Sequence, residues 1–193
     1  MKLHGKMTMR VVLTLALCGV LGIGTVFAAI QVLPDAIVTV EGSEIKGGKL
    51  AMAYPAVREL LASFERAEAG VKKEDLKALM TFYSPSYNYH GLKQDDVRRV
   101  WEEVFTHYKG VNSTHLLSAI TIIRTGSQVR AEVTCTGGLY GLEERTGKAI
   151  TLDSWFQEVH YLVKEDGVWR FKGNAGETPT VSPFSSTPHH PLF

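Results

Sequence analysis

The feature that most constrains this chain is a change of hydrophobic period near its middle. From residue 56 to 108 apolar residues recur three and four apart. Val57, Leu60, Leu61, Phe64 and Ala67 make one stripe; Val97, Val100, Trp101, Val104, Phe105 and Tyr108 make another. That spacing places each set on one face of a helix. After Leu116 the period drops to two. Val129, Ala131, Val133 and Cys135 alternate with Arg130, Glu132, Thr134 and Thr136, as in a strand with one buried face. Helices first and antiparallel strands after predict an α+β domain with its helices on one face of a sheet.

Local signals divide these halves further. The first helix is expected over 56–69, ended by Gly70, and a shorter one over 75–80, closing at Ser84-Pro85. A third begins after Gly91-Leu92, with Asp95 and Asp96 where the helix dipole favours negative charge. Gly110 is its expected stop. Strands are expected over 116–124, 128–136, 147–163 and 168–172. The last two are joined by Asp166-Gly167, a strong hairpin signal between apolar runs. The prediction is three helices packed on a sheet of about four strands.

The two ends read differently. Lys2, Lys6 and Arg10 precede an uncharged run, Val11 to Leu33, followed by Pro34-Asp35. A basic start and an apolar run read as an export signal. Small residues at Val26-Phe27-Ala28-Ala29 suit cleavage after Ala28. The competing reading is an uncleaved anchor, since the run reaches the roughly 20 residues of a spanning helix. Both put the rest of the chain in the periplasm or cell envelope. Residues 1–28 are thus assigned as signal peptide or anchor, 29–53 as a linker rich in Gly42, Gly47 and Gly48, 54–174 as the domain, and 175–193 as a tail. That tail carries Pro179, Pro183, Pro188 and Pro191, which suit neither helix nor sheet ladder. Its His189-His190 pair lacks a third ligand. Without the three cations of the leader, the net charge of +1 becomes −2. No basic cluster remains, so nucleic acid is not an expected partner and a membrane is met only through an uncleaved leader. Cys135 would then be the single cysteine, expected to pack rather than react.

Several weak signals in order resemble the NTF2-like superfamily, which includes SnoaL-like and ketosteroid-isomerase-like proteins. They are Leu60-Leu61-Ala62-Ser63-Phe64, the passage Phe82 to Tyr87, the Tyr89-His90-Gly91 turn, Gln128 to Val133, and the closing Asp166-Gly167-Val168-Trp169-Arg170-Phe171. The resemblance covers residues from about 54 to 173. It also touches the accessory-domain branch found with bacterial L,D-transpeptidases, although this sequence has no Cys/His signature of the transpeptidase itself. The resemblance implies a cone, a curved sheet around helices with a cavity at its open end, and pairing of two copies through the outer sheet face. It implies binding of a small apolar ligand or a protein partner in the cell envelope. The alternative is a cofactor-independent acid–base enzyme, an isomerase, dehydratase or hydrolase.

Candidate residues follow from strand parity. Glu158 and His160 share a face if their strand has no bulge, and Glu132 and Thr134 share one on the neighbouring strand. A carboxylate held in an apolar cavity can act as a general base, because burial raises its pKa toward the working pH. Glu132, Glu158 and His160 are therefore the catalytic candidates. The competing expectation is that these polar residues form a wet face. Tyr83, Tyr87, Tyr89, Trp101 and Tyr108 are candidates to line a ligand pocket, against the plainer expectation that they pack in or cap the core. No Gly-rich phosphate loop, zinc-ligand spacing or nucleophile elbow is present, so no cofactor or metal is expected.

Overall fold

The computed structural model describes residues 30–89 and 91–173. The leader, His90 and the tail with its paired histidines lie outside them. The chain runs β1 (Ile30–Val40), β2 (Ser43–Lys46), α1 (Gly48–Ala51), α2 (Pro55–Lys72), α3 (Leu76–Met80), β3 (Tyr83–Tyr89) and β4 (Leu92–Lys93). It continues with α4 (Gln94–His107), β5 (Tyr108–Thr125), β6 (Gln128–Glu143), β7 (Ala149–Glu165) and β8 (Val168–Gly173). All eight strands form one sheet in the order β2-β1-β5-β6-β7-β8-β3-β4. The late strands β5 to β8 are an antiparallel meander. β1 joins β5 and β3 joins β8 in parallel at the flanks.

The α+β class and the order of the late strands match the expectation; the element count does not. Eight strands and four helices replace about four and three, and the helix predicted third follows two strands. Residues 29–53 are no spacer. They supply β1, β2 and α1, with Ala36, Val38, Ile45 and Ala51 in the core. Pro34 hid this strand. It has no N–H for the ladder and falls in the irregularity between Val32 and Ile37, the kind of place a strand accepts proline. Tyr83–Tyr89 is likewise a strand, and Pro85 sits in the matching irregularity between Tyr83 and Asn88. Two-residue turns close two hairpins. Glu41-Gly42 and Asp166-Gly167 all take positive φ, the geometry that matches strand twist.

Bulges bend the meander. The β5–β6 pairing shifts between Leu117 and Ala119, and the β6–β7 pairing shifts between Cys135 and Gly137 and again between Leu139 and Tyr140. Each extra residue bends its strand and deepens the local twist. α2, opened by Pro55 at a first-turn position that needs no N–H bond, packs on the concave side against β5 and β8. Leu60, Phe64, Leu79, Trp101, Leu117, Ile120 and Trp169 are almost wholly removed from water there. Each such side chain contributes about 2 kcal/mol of transfer energy. Among the described residues no helix is long and apolar enough to cross a membrane.

Gly70 does not end α2; it lies inside it, where α3 passes close. A Cβ there would sit 3.1 Å from the Leu79 nitrogen and 3.2 Å from its Cα. In Gly70→Ala, helix propensity gains about 1 kcal/mol, while crowding of α3 backbone costs about 1–3 kcal/mol. The expected balance is a loss of about 1 kcal/mol, read from urea unfolding. A stabilised variant would show that α3 can move away freely.

Candidate functional site

β7 decides which polar groups face the interior. Glu158 pairs with Cys135 and His160 with Val133, so both point to the concave side with those buried residues. Glu132 pairs with Tyr161 and lies on the opposite, outer face, exposed. The sequence grouping of Glu132 with Glu158 and His160 is therefore split: the last two share the inner face and Glu132 does not. The register then shifts by one residue before Gly137 meets Trp155. Gln157 takes φ 50, and its N–H donates to Thr136 Oγ1 at 3.0 Å. That bulge brings Trp155 to the same face as Glu158 and His160, although its number has the wrong parity for His160. Their rings stand 6.2 Å apart, edge to face.

Aromatic side chains from β3 and β8 meet this face. Tyr83 and Tyr87 rings are 5.3 Å apart, Tyr87 and Phe171 are 5.7 Å, and His160 and Phe171 are 5.4 Å. Trp101 donates its indole N–H to Tyr83 Oη at 2.9 Å, and both are buried. Those two are core rather than rim. Tyr89, half-buried, donates to Glu158 Oε1 at 3.1 Å. Tyr87 is buried, and its hydroxyl has no hydrogen-bond partner among the described residues. Burial first, then the nearby Tyr83, Tyr89 and Glu158, hold the Tyr87 hydroxyl far above the ordinary phenol range. It stays a neutral donor at any physiological pH. Burial and the Glu158 carboxylate do the same to Tyr89. Tyr108 is not part of this group. It opens β5 opposite Glu143 and packs beside Gly141.

A second polar group went unpredicted. Glu68 of α2, with Ser113 and His115 of β5, is buried beneath the sheet. Ser113 Oγ donates to Glu68 Oε1, and His115 Nδ1 lies 3.4 Å from Ser113 Oγ and 3.5 Å from Glu68 Oε1. The His115 side of the contact is uncharged, so the contact is not a salt bridge. Burial raises the Glu68 carboxyl above its usual range, and burial pulls the His115 imidazole down to about 3. His115 stacks 5.1 Å from Trp155, whose indole N–H donates to Cys135 Sγ at 3.2 Å. Buried polar groups thus run from α2 across to Glu158. One signal was available: Glu68 sits four residues after Phe64 and three before Val71, squarely on the apolar stripe of its helix. Cys135 packs as expected, its thiol pushed up to about 12 by burial. Among the described residues no cluster of three or more His, Cys, Asp or Glu could hold a metal ion.

No protein-family model matches the chain, and no curated protein does. Solved structures of similar shape include a ketosteroid isomerase-like protein from Erwinia carotovora, at 16% identity and TM-score 0.45, with 60% of this chain covering 90% of that one. Another is Bd1075 from Bdellovibrio bacteriovorus, at 13% identity and TM-score 0.45. There 61% of this chain covers only 38% of the other. A Nostoc punctiforme protein of unknown function with a cystatin-like fold is similar at 15% identity and TM-score 0.40, over 62% of this chain and 88% of that one. At these scores such likenesses carry no residue's role across, so the chemistry rests on the side chains above.

The buried histidine sets a pH dependence. The fold disfavours its proton, so below about pH 6.5 the unfolded chain binds one that the native chain does not. Stability should fall from about pH 6.5 toward 3, by up to about 1.4 kcal/mol per pH unit. Glu68 acts with the opposite sign: its contribution is complete below 4.5 and drains as pH rises through its raised folded pKa. In urea unfolding between about pH 4 and 7, His115→Leu should lose most of the acid-side slope. An unchanged slope would mean that His115 is protonated in the native state.

Proposed function

We propose that this chain is an exported, NTF2-like domain that binds a small molecule on the concave face of its sheet, at Tyr87, Tyr89 and Glu158. One observation carries the reading. The Tyr87 hydroxyl is buried and lacks a hydrogen-bond partner among the described residues, beside a half-buried carboxylate. A buried donor left without an acceptor costs about 1–3 kcal/mol, and a bound acceptor recovers it. Tyr89 gives its one O–H to Glu158, and the rest of that carboxylate can accept from a ligand beside Tyr87. Trp155, Phe171 and His160 supply apolar walls. The ligand is an apolar body with one polar head, such as an alcohol or ketone.

A second reading, acid–base catalysis, is favoured by the β7 bulge. A non-glycine residue at positive φ, Gln157, turns Glu158 inward next to aromatic side chains. Strained backbone of this kind gathers at functional sites. Glu158 would then take a proton from carbon beside the ligand's carbonyl, and the Tyr87 hydroxyl would stabilise the oxyanion.

Both readings meet one set of variants. A panel of aromatic alcohols and ketones screened by thermal shift should yield binders. Tyr87→Phe should weaken them roughly 3- to 10-fold and Glu158→Gln by about 10-fold or more, as expected for neutral and charged hydrogen bonds. Loss of carbon-bound protons from a bound ketone in D2O, present in the native protein and absent in Glu158→Gln, would select catalysis. Binders indifferent to both substitutions would put the site elsewhere.

The same proposal places the protein outside the cytoplasm as a pair of chains. Ile30 is already paired with His115 in the sheet, so cleavage after Ala28 leaves β1 whole. On the outer face Leu116, Val159 and the 79% exposed Phe156 give an apolar row across β5 and β7. Native mass spectrometry of protein recovered from the cell envelope should show two chains, each beginning at Ala29. A single chain that keeps residues 1–28 would count against both parts.

A further inference from the structure

A second site lies at the far end of the sheet, where three hairpin turns meet the start of α2. Val40 and Glu41 of the first hairpin, Ile122, Arg124, Ser127 and Val129 around the β5–β6 turn, and Lys164, Asp166, Gly167 and Trp169 around the β7–β8 turn line a half-open cavity of about 410 Å³, together with Ala56. Small-molecule pockets begin at about 300 Å³. Lys164 is six residues along β7 from Glu158, roughly 20 Å at strand rise, so this space is separate from the site proposed above.

Two observations give it a chemistry. Trp169 is 1% exposed, and its Nε1–H has no hydrogen-bond partner among the described residues. The other two indoles are satisfied, Trp101 by Tyr83 and Trp155 by Cys135. The cations around the cavity are both paired, and one carboxylate is left over. Arg124 is paired with Glu41 at 2.8 Å and Lys164 with Glu59 at 2.5 Å, while Asp166 adds one further negative charge. No cation is left over to favour an anion. Val40, Ala56, Ile122 and Val129 give apolar walls.

We propose that this cavity is a second ligand site, which takes a small neutral molecule whose apolar body carries one acceptor oxygen, received by the Trp169 indole N–H. The oxygen completes the indole donor left open at this cavity, and the body covers the walls. An anionic ligand would have to break one of the two ion pairs for an equal partner, which gains little, and a cation offers no acceptor to the indole N–H.

The test uses the full chain labelled with 15N, with cyclohexanone as probe and toluene as the comparison that lacks an acceptor. The three indole N–H signals report separately, and Trp169→Phe identifies its own by deletion. Cyclohexanone should move the Trp169 signal saturably along its own titration curve, distinct from any shift of Trp155, which lies at the concave-face site, and leave Trp101 nearly still. The native protein should prefer cyclohexanone over toluene, by a factor of roughly 3 to 10 beyond the preference of Trp169→Phe. That variant also removes buried ring volume, so its unfolding midpoint should fall, and binding is compared at a temperature where both proteins are folded. Glu158→Gln should bind cyclohexanone here as the native protein does, which separates this site from the one on the concave face. A Trp169 signal that does not saturate, three indoles moving together, or an unchanged preference in Trp169→Phe would overturn the proposal.

Discussion

One extra residue in β7 governs what the concave face of this protein contains. An antiparallel pair alternates its side chains without exception until a bulge intervenes. Here the bulge at Gln157 lets Trp155 and His160, five residues apart, point the same way, with Glu158 between them. Trp155 then reaches Cys135 and His115, while Glu158 reaches Tyr89. Without it, Trp155 would go to the outer face and the contact between the two polar groups would be broken.

The interior is costly as well as apolar. His115 and Tyr87 are buried far from their ordinary titration behaviour, and burial is the leading cause each time. Neutral forms win because a charge there would lose its hydration for too few partners. A core built only for stability would replace these groups with leucine. The linked groups Glu68, Ser113 and His115, which reach β7 through Trp155, are the physical argument for a function at this face, and it is independent of any likeness to other proteins.

Much of the framework was legible in the residues alone. The change from helical to alternating spacing, the Asp166-Gly167 turn, the buried stripe of α2 and the inward set Val133 and Cys135 all stand where the pattern puts them. Local signals failed where a distant partner outvoted them. Pro34 and three glycines read as a spacer, yet β5 accepts that segment as a parallel neighbour. Gly70 read as a stop, yet α3 needs its missing side chain. The early part of β5, with Gly110, Asn112, Ser113 and Thr114, reads as loop until β6 pairs with it.

The site divides along the same line. Composition and period were enough for the α+β class and for a carboxylate and a histidine on one strand face, since alternation is a property of the backbone and needs no partner. Which face was inner, that Glu132 was on the wrong one, and that Glu68 and His115 meet were settled only in three dimensions. Register across strands, the position of a bulge and the approach of a helix depend on contacts between residues far apart in the chain. A window of ten or fifteen residues does not contain them.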